Sequence, residues 1–213
     1  MRRGEVQLSS DRPWSSFDAL VRGIGDVDRV AVVAAGRQAQ QLLSVRNWLA
    51  GAWIVQFEQH GSDRAAYGDR LLPRLSASLE ASGRKGMSPR NLANFRLVAQ
   101  AYPTLDVQSL GSAVLAQIPG SEILQAPAKS IPDAQPLPWR DTDWVLRLFR
   151  ELTFTHLVEL ARMDDPVERA FYELQCLEQG WSTRELIRHR NTMLYQRVGL
   201  SADRDAVLAV ARQ

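Results

Sequence analysis

Cysteine, histidine, lysine and long apolar runs are all scarce in this sequence. The single Cys176 excludes an intramolecular disulfide and is typical of a reducing compartment. The longest apolar stretch, residues 48–57, is too short to cross a bilayer. Residues 1–8 have a basic start but lack the apolar run of a signal peptide. We therefore expect a cytoplasmic protein that does not have a membrane as its partner.

The three histidines lie far apart, and none belongs to a His-x-x-x-His or cysteine-containing ligand pattern. The sequence also has no glycine-rich phosphate loop and no nucleophile elbow. It therefore predicts no catalytic residue, no metal site and no cofactor. We expect His156 to lie at the start of a helix, where its ring is satisfied by the backbone or by Glu159.

Positive charge is slightly in excess, with 26 basic residues, 24 acidic residues and a formal net charge of +2. Among the basic residues only Lys85 and Lys129 are lysines. Genome base composition is the simpler explanation of this bias, although arginine forks also suit phosphates and guanine edges. The local clustering of charge is therefore more informative than its total.

The letters KGMSPRNL at residues 85–92 return in altered form as QGWSTREL at residues 179–186. Both copies have a Gly, a bulky apolar residue, a Ser, an Arg and a Leu at the same spacing. A glycine can end a helix in the left-handed conformation, and serine is a preferred N-cap. Pro89 suits the first position of a helix, and Ser182 with Glu185 forms an S-x-x-E capping box. Each copy therefore predicts the joint of a helix-turn-helix-like unit.

The helices that follow the two joints each have an apolar and a polar side. The predicted core side carries Leu92, Phe95, Ala99 and Tyr102 in the first helix, and Leu186, Ile187, Met193 and Leu194 in the second. The predicted outward side carries Arg90 and Asn94 in the first helix, and Arg184, Arg188, Asn191 and Tyr195 in the second. The repeated Arg96 and Arg190 fall beside the apolar stripe, so we expect them to form structural ion pairs.

Apolar residues recur at helical spacing over most of the chain, and strand signals are nearly absent, which predicts an all-α fold. Residues 1–26 look like an N-terminal arm with one short helix at 15–22. Residues 27–103 and 139–213 are predicted to form two helical units, each with one of the joints. Five of the ten prolines lie in residues 104–138, which predicts a long loop or linker between the units.

Four segments, taken in order, resemble one known family. They read VRNWLAGAWIVQFEQH, YGDRLLPRLSASLEASGRKGMSPRNLANFRLVAQAYP, LTFTHLVEL and ERAFYELQCLEQGWSTRELIRHRNTMLYQRV. The family is that of the YhcG-type bacterial proteins, and the resemblance is to their N-terminal domain, over residues 30–103 and 139–198. It implies an all-helical, helix-turn-helix-like region that binds DNA and is commonly followed by a PD-(D/E)XK nuclease-like domain.

The nuclease part of this resemblance is not expected to carry over. The sequence ends at Gln213, shortly after the second joint, and we expect no nuclease domain in it. The nuclease motif needs an acidic residue two positions before a lysine. Lys85 and Lys129 are instead preceded at that spacing by Gly83 and Pro127. We therefore expect that this chain is not an enzyme by itself.

Two hypotheses from different classes remain open, beside the simple alternative of a solvated basic face. The first is a module that binds duplex DNA with the helix after each joint. Its predicted contacts are Arg84, Lys85, Arg90, Asn91, Asn94, Arg184, Arg188 and Asn191. The second is an assembly module, in which the six tryptophans and the helical region 27–60 form a dimer or partner surface and DNA is left to a separate nuclease partner.

Overall fold

The structure is a computed structural model of the 213-residue chain. It describes residues 15–33, 39–61, 65, 68–103 and 142–199. The predicted connection at 104–138 and the end of the chain after residue 199 lie outside the described residues. No helix within the described ranges is long and apolar enough to cross a membrane.

Every regular element in the described part of the chain is a helix, so the predicted all-α fold is confirmed. The first four α-helices are α1 (Phe17–Val33), α2 (Ala39–His60), α3 (Leu71–Ala81) and α4 (Pro89–Ala101). The next five are α5 (Thr142–Glu151), α6 (Phe154–Ala161), α7 (Pro166–Gln179), α8 (Thr183–Asn191) and α9 (Leu194–Gly199). A short 3₁₀ helix, Gly68–Arg70, precedes α3.

Helix α1 is longer than the short helix predicted at 15–22, and the predicted boundary between residues 26 and 27 falls inside it. Gly23 and Gly25 suggested that the helix would stop early, but a glycine costs a helix only about 1 kcal/mol relative to alanine. Leu20, Ile24 and Val27 are spaced at i, i+4 and i+7 and are all buried. Packing of this apolar stripe against α2 outweighs the low helix propensity.

Helix α2 forms the centre of the described fold. Every residue from Gly51 to Phe57 is buried, as expected for a helix that is covered on all sides. Trp48 and Trp53 are each only 1% exposed, and the indole N–H of Trp48 donates to the carbonyl oxygen of Tyr102 at 3.0 Å. These two tryptophans therefore belong to the core and not to the partner surface of the assembly hypothesis.

Gly51 allows α4 to lie very close to α2. A Cβ atom at this position would lie 2.0 Å from the carbonyl oxygen of Phe95, a backbone atom that cannot rotate away. The absence of a side chain is thus what permits this helix crossing.

The described parts of the two predicted units share one buried apolar cluster. Phe95 of α4 and Phe154 of α6 meet edge to face, with ring centroids 5.4 Å apart. Glu173 of α7 is fully buried, and its carboxylate accepts hydrogen bonds from the hydroxyl of Tyr102 at 2.8 Å and from the indole of Trp144 at 3.0 Å. Polar and apolar contacts therefore hold the helices before and after residues 104–141 together.

Candidate nucleic-acid interface

The first joint comprises residues 82–88, between α3 and α4. Gly83 has a φ of 76° and ends α3. Its N–H donates to the carbonyl oxygen of Glu80 at 2.9 Å, while the N–H of Arg84 donates to that of Leu79 at 2.9 Å. These two bonds form a Schellman motif, which satisfies the last carbonyls of the helix. The helix stop predicted at this glycine is confirmed.

The start of α4 also follows the sequence prediction. Ser88 is the N-cap, and its hydroxyl accepts from the N–H of Asn91 at 3.3 Å. Pro89 occupies the first helical position, and Gly86 has a φ of 78°. The side-chain amide of Asn91 donates to the carbonyl oxygen of Gly86 at 2.9 Å. Asn91, predicted to contact DNA, thus has a structural hydrogen bond within the joint.

The remaining predicted contacts of the first joint differ in exposure. The side chains of Lys85 and Arg90 are exposed and form no hydrogen bond or ion pair with another described residue. Arg84 is half-buried against α1, since a Cβ added to Gly25 would lie 3.7 Å from its Nε atom. Asn94 is half-buried in the middle of α4. Only Lys85 and Arg90 are therefore fully available to a ligand.

The second joint comprises residues 180–182, between α7 and α8. Gly180 is left-handed, with a φ of 63°, and ends α7. The hydroxyl of Ser182 accepts from the N–H of Glu185 at 3.3 Å. The Glu185 carboxylate accepts from the N–H of Ser182 at 2.7 Å and from its hydroxyl at 2.8 Å. The predicted capping box is confirmed, and these hydrogen bonds lower the pKa of Glu185.

Helix α8 presents the other predicted contacts. Arg184, Arg188 and Asn191 are all exposed, at positions i, i+4 and i+7 of one helix face. The only hydrogen-bond contact of the Arg188 guanidinium within the described ranges is between its Nη2 atom and Nε2 of His189, 3.4 Å apart. Leu186 is the one fully buried residue of α8. The three predicted side chains thus share one open face.

The repeated arginines form ion pairs, as predicted. The guanidinium of Arg96 lies 2.6 Å from the carboxylate of Glu58 on α2. That of Arg190 lies 3.0 Å from the carboxylate of Glu159 on α6. Each arginine therefore fastens the helix after a joint to an earlier helix, and neither is free to bind a ligand.

His156 connects the start of α6 to the second joint. Its Nδ1 atom accepts from the N–H of Thr153 at 3.3 Å, and its Nε2 atom lies 3.0 Å from the carbonyl oxygen of Trp181. A backbone donor on one side and a carbonyl acceptor on the other require the neutral ring with the proton on Nε2. Burial lowers the pKa of His156 and favours the same form. The backbone, and not Glu159, satisfies this ring.

Two predicted orientations near the end of α8 are wrong. Met193, predicted to face the core, is 62% exposed. Tyr195, predicted to face outward, is half-buried, with its ring centroid 5.6 Å from that of Phe171. The cause is a break between α8 and α9, where Met193 has a φ of 53°. The turn shifts the helical phase, so that a pattern extended through it assigns the wrong face.

The sequence also gave no signal for a stacked pair beside the open face. The rings of Trp181 and His189 are 4.1 Å apart and nearly parallel, at 19°. Their contact covers one side of the indole ring. Among the described residues, no group of His, Cys, Asp and Glu side chains could hold a metal ion.

Comparisons with known proteins show the family of this chain. The family described as DUF1016 N-terminal domain matches residues 28–130 and 136–197. The curated protein "Putative nuclease YhcG" of Escherichia coli (strain K12) is 32% identical over 203 residues, which is 95% of this chain. The same match covers 52% of that protein, so the chain spans about half the length of its curated relative. No solved structure matches. The chain therefore belongs to the DUF1016 N-terminal domain family.

Proposed function

We propose that this domain binds duplex DNA and that it does not cut DNA by itself. The observation that carries the proposal is the division of its arginines into two groups. Arg96 and Arg190 are used in ion pairs with glutamates. Arg90 and Arg184 are exposed at the starts of α4 and α8, without an acidic partner among the described residues.

Exposed cations without an ion-pair partner favour the binding of a polyanion such as DNA. They can replace the condensed counterions of its phosphates without first breaking a contact within the protein. Two more exposed cations lie near these arginines in the sequence: Lys85 is five residues before Arg90, and Arg188 is four residues after Arg184. The relation to a protein named as a nuclease supports DNA as the polyanion. We infer that any catalysis belongs to other parts of such a protein, because the two lysines of this chain lack the acidic neighbour of the nuclease motif.

The test is a titration of a labelled duplex with the chain, by fluorescence anisotropy, at salt concentrations from about 50 to 200 mM. Affinity should fall steeply with salt, with a slope near −0.9 for each phosphate contact. Replacing Lys85 and Arg90 together by alanine should flatten the slope by about two units. No cleavage is expected in the presence of Mg²⁺ or Mn²⁺.

A matched control removes two positive charges from a different part of the surface. Arg70 and Arg150 are also exposed, but lie outside both joints and outside the helices that follow them, and Arg150 lies 3.5 Å from Glu151. Their double alanine variant should keep the slope of the parent chain. Equal slopes for both double variants would show that only overall charge matters. An absence of binding at low salt, together with a dimer in light scattering, would favour the assembly hypothesis.

A further inference from the structure

The helices that follow the two joints are covered to very different extents, although their sequences predict the same role. Helix α4 contacts α2, α3 and α6. Four of its residues are buried, namely Leu92, Phe95, Val98 and Ala99. Helix α8 has only Leu186 buried. The two helices therefore cannot offer the same surface to a ligand.

The covered part of α4 is its middle. Asn94, on the predicted outward face, and the nearby Leu97 are half-buried, whereas Arg90 at the start and Gln100 near the end are exposed. The close crossing at Gly51 holds α4 against α2 along this stretch. A helix must enter the major groove with a continuous face to reach several base edges. Only the start of α4, beside Lys85, can therefore approach DNA.

Helix α8 has such a continuous face. Arg184, Arg188 and Asn191 lie on one exposed stripe. From the first to the last of them the helix rises about 10 Å, at 1.5 Å per residue, which corresponds to roughly three base-pair steps. The Glu185 carboxylate is turned back onto Ser182 by two hydrogen bonds. Its negative charge therefore lies at the N-cap and forms no salt bridge with either arginine, although the charge of Arg188 contributes to the lowered pKa of Glu185.

The position of α8 is also fixed before any ligand arrives. Its start is held by the capping box, and its end by the pair of Arg190 with Glu159, 3.0 Å apart. Leu186 anchors the buried side between them. Side chains on such a helix lose less freedom on binding than those on a loop, which favours recognition of defined base edges.

We propose that α8 reads base sequence in the major groove, while the first joint contacts only phosphates. Arg184 and Arg188 would donate to guanine O6 and N7, and Asn191 would bind the N6 and N7 edge of adenine, since these pairings match in geometry. Lys85 and Arg90 would set the register through the backbone of the duplex. The proposal rests on the proposed binding of duplex DNA and adds which bases are read and by which helix.

The test is selection of bound duplexes from a library with a randomised central segment, followed by sequencing. The parent chain should enrich a short motif that contains guanine and adenine. Arg184→Lys keeps the charge but removes the planar fork. It should therefore lower the preference for one guanine on the order of tenfold, with an unchanged salt slope. Asn191→Ala should remove the preference for adenine to a similar extent.

Matched variants of the first joint provide the comparison. Arg90→Lys and Asn94→Ala should leave the enriched motif unchanged, and Arg90→Ala should weaken binding to all sequences alike. Loss of the motif in the Arg90 or Asn94 variants but not in those of α8 would overturn the inference. Salt-dependent binding without any enriched motif would also overturn it and leave the proposed function standing. An absence of binding to any duplex at low salt would remove both.

Discussion

Arg188 and Arg190 are two positions apart in α8, yet their replacement by alanine should have opposite consequences. The guanidinium of Arg190 bonds to the carboxylate of Glu159 at 3.0 Å and approaches its carbonyl oxygen at 3.4 Å. The Glu159 side chain is only 10% exposed. Arg188 is exposed, and the only hydrogen-bond contact of its guanidinium among the described residues is with the ring of His189. We therefore expect Arg190→Ala to lower stability and Arg188→Ala to lower DNA affinity.

The magnitude follows from the burial of the pair. Exposed ion pairs contribute up to about 1 kcal/mol, whereas breaking a buried pair costs about 3–5 kcal/mol. The Arg190 side chain is 29% exposed, and Glu159 keeps a second partner in Arg162. We therefore place the loss at about 2 kcal/mol, between the two limits. In a chain of this length it should lower the thermal midpoint by roughly 4–8 °C.

The assay is thermal unfolding followed by far-ultraviolet circular dichroism, with Arg188→Ala as the control. That variant should stay within about 0.5 kcal/mol of the parent chain, because its side chain is on the surface. A cycle with Glu159→Gln should give a coupling energy between positions 159 and 190 of about 1 kcal/mol or more. Equal midpoints for the two arginine variants, or a coupling energy near zero, would refute the structural role of Arg190.

Four further predictions concern stability and reactivity. Gly51→Ala should destabilise by about 3 kcal/mol or more in chemical denaturation, because its Cβ would overlap the backbone of α4. Ser182→Ala should cost roughly 1 kcal/mol in the same measurement, through loss of the N-cap. The lowered pKa of His156 should make stability fall as pH drops below about 6.5, and His156→Gln should weaken that dependence in midpoints measured across this range. Burial, with Glu173, raises the pKa of Cys176 to about 12, so iodoacetamide should label it only after unfolding, as mass spectrometry would detect.

Other outcomes would contradict the reasoning behind each of these predictions. Parent-like stability of Gly51→Ala would mean that the helices separate without cost. A Ser182→Ala variant as stable as the parent would remove the energetic role of the cap. Unchanged pH dependence in His156→Gln would assign the effect to other groups. Rapid labelling of Cys176 in the folded chain would indicate that α7 opens readily.

The short-range features of this fold could be predicted from the sequence because they depend on a few neighbouring residues. Helix ends at Gly83 and Gly180 need only a residue that tolerates positive φ. The caps at Ser88 and Ser182 need only a hydroxyl one position before the helix. Such features are set within one turn of the chain, so packing elsewhere does not alter them.

The errors have the opposite origin. The length of α1 was underestimated because its glycines weigh locally against a helix, and packing of its apolar stripe against α2 outweighs them. The faces of Met193 and Tyr195 depend on a turn in which a methionine adopts positive φ, although this residue type rarely does. The different exposure of Asn94 and Asn191 depends on how α4 and α8 pack against their neighbouring helices. The candidate site could therefore be predicted as a set of residues, but not which of them are accessible.

The two ion pairs explain why the same motif occurs twice and yet leads to unequal surfaces. Glu58 and Glu159 each lie two residues before the end of their helix, α2 or α6. Arg96 and Arg190 each lie ten residues after a glycine of their joint. The motif is thus part of a larger repeated arrangement in which a glutamate on one helix fixes the helix after the joint.

In the first copy that helix is also packed against α6 and serves the core, whereas in the second copy nothing among the described residues covers its outer face. Because one copy already stabilises the fold, α8 can carry unpaired arginines without loss of packing, and the search for a ligand should begin on that helix.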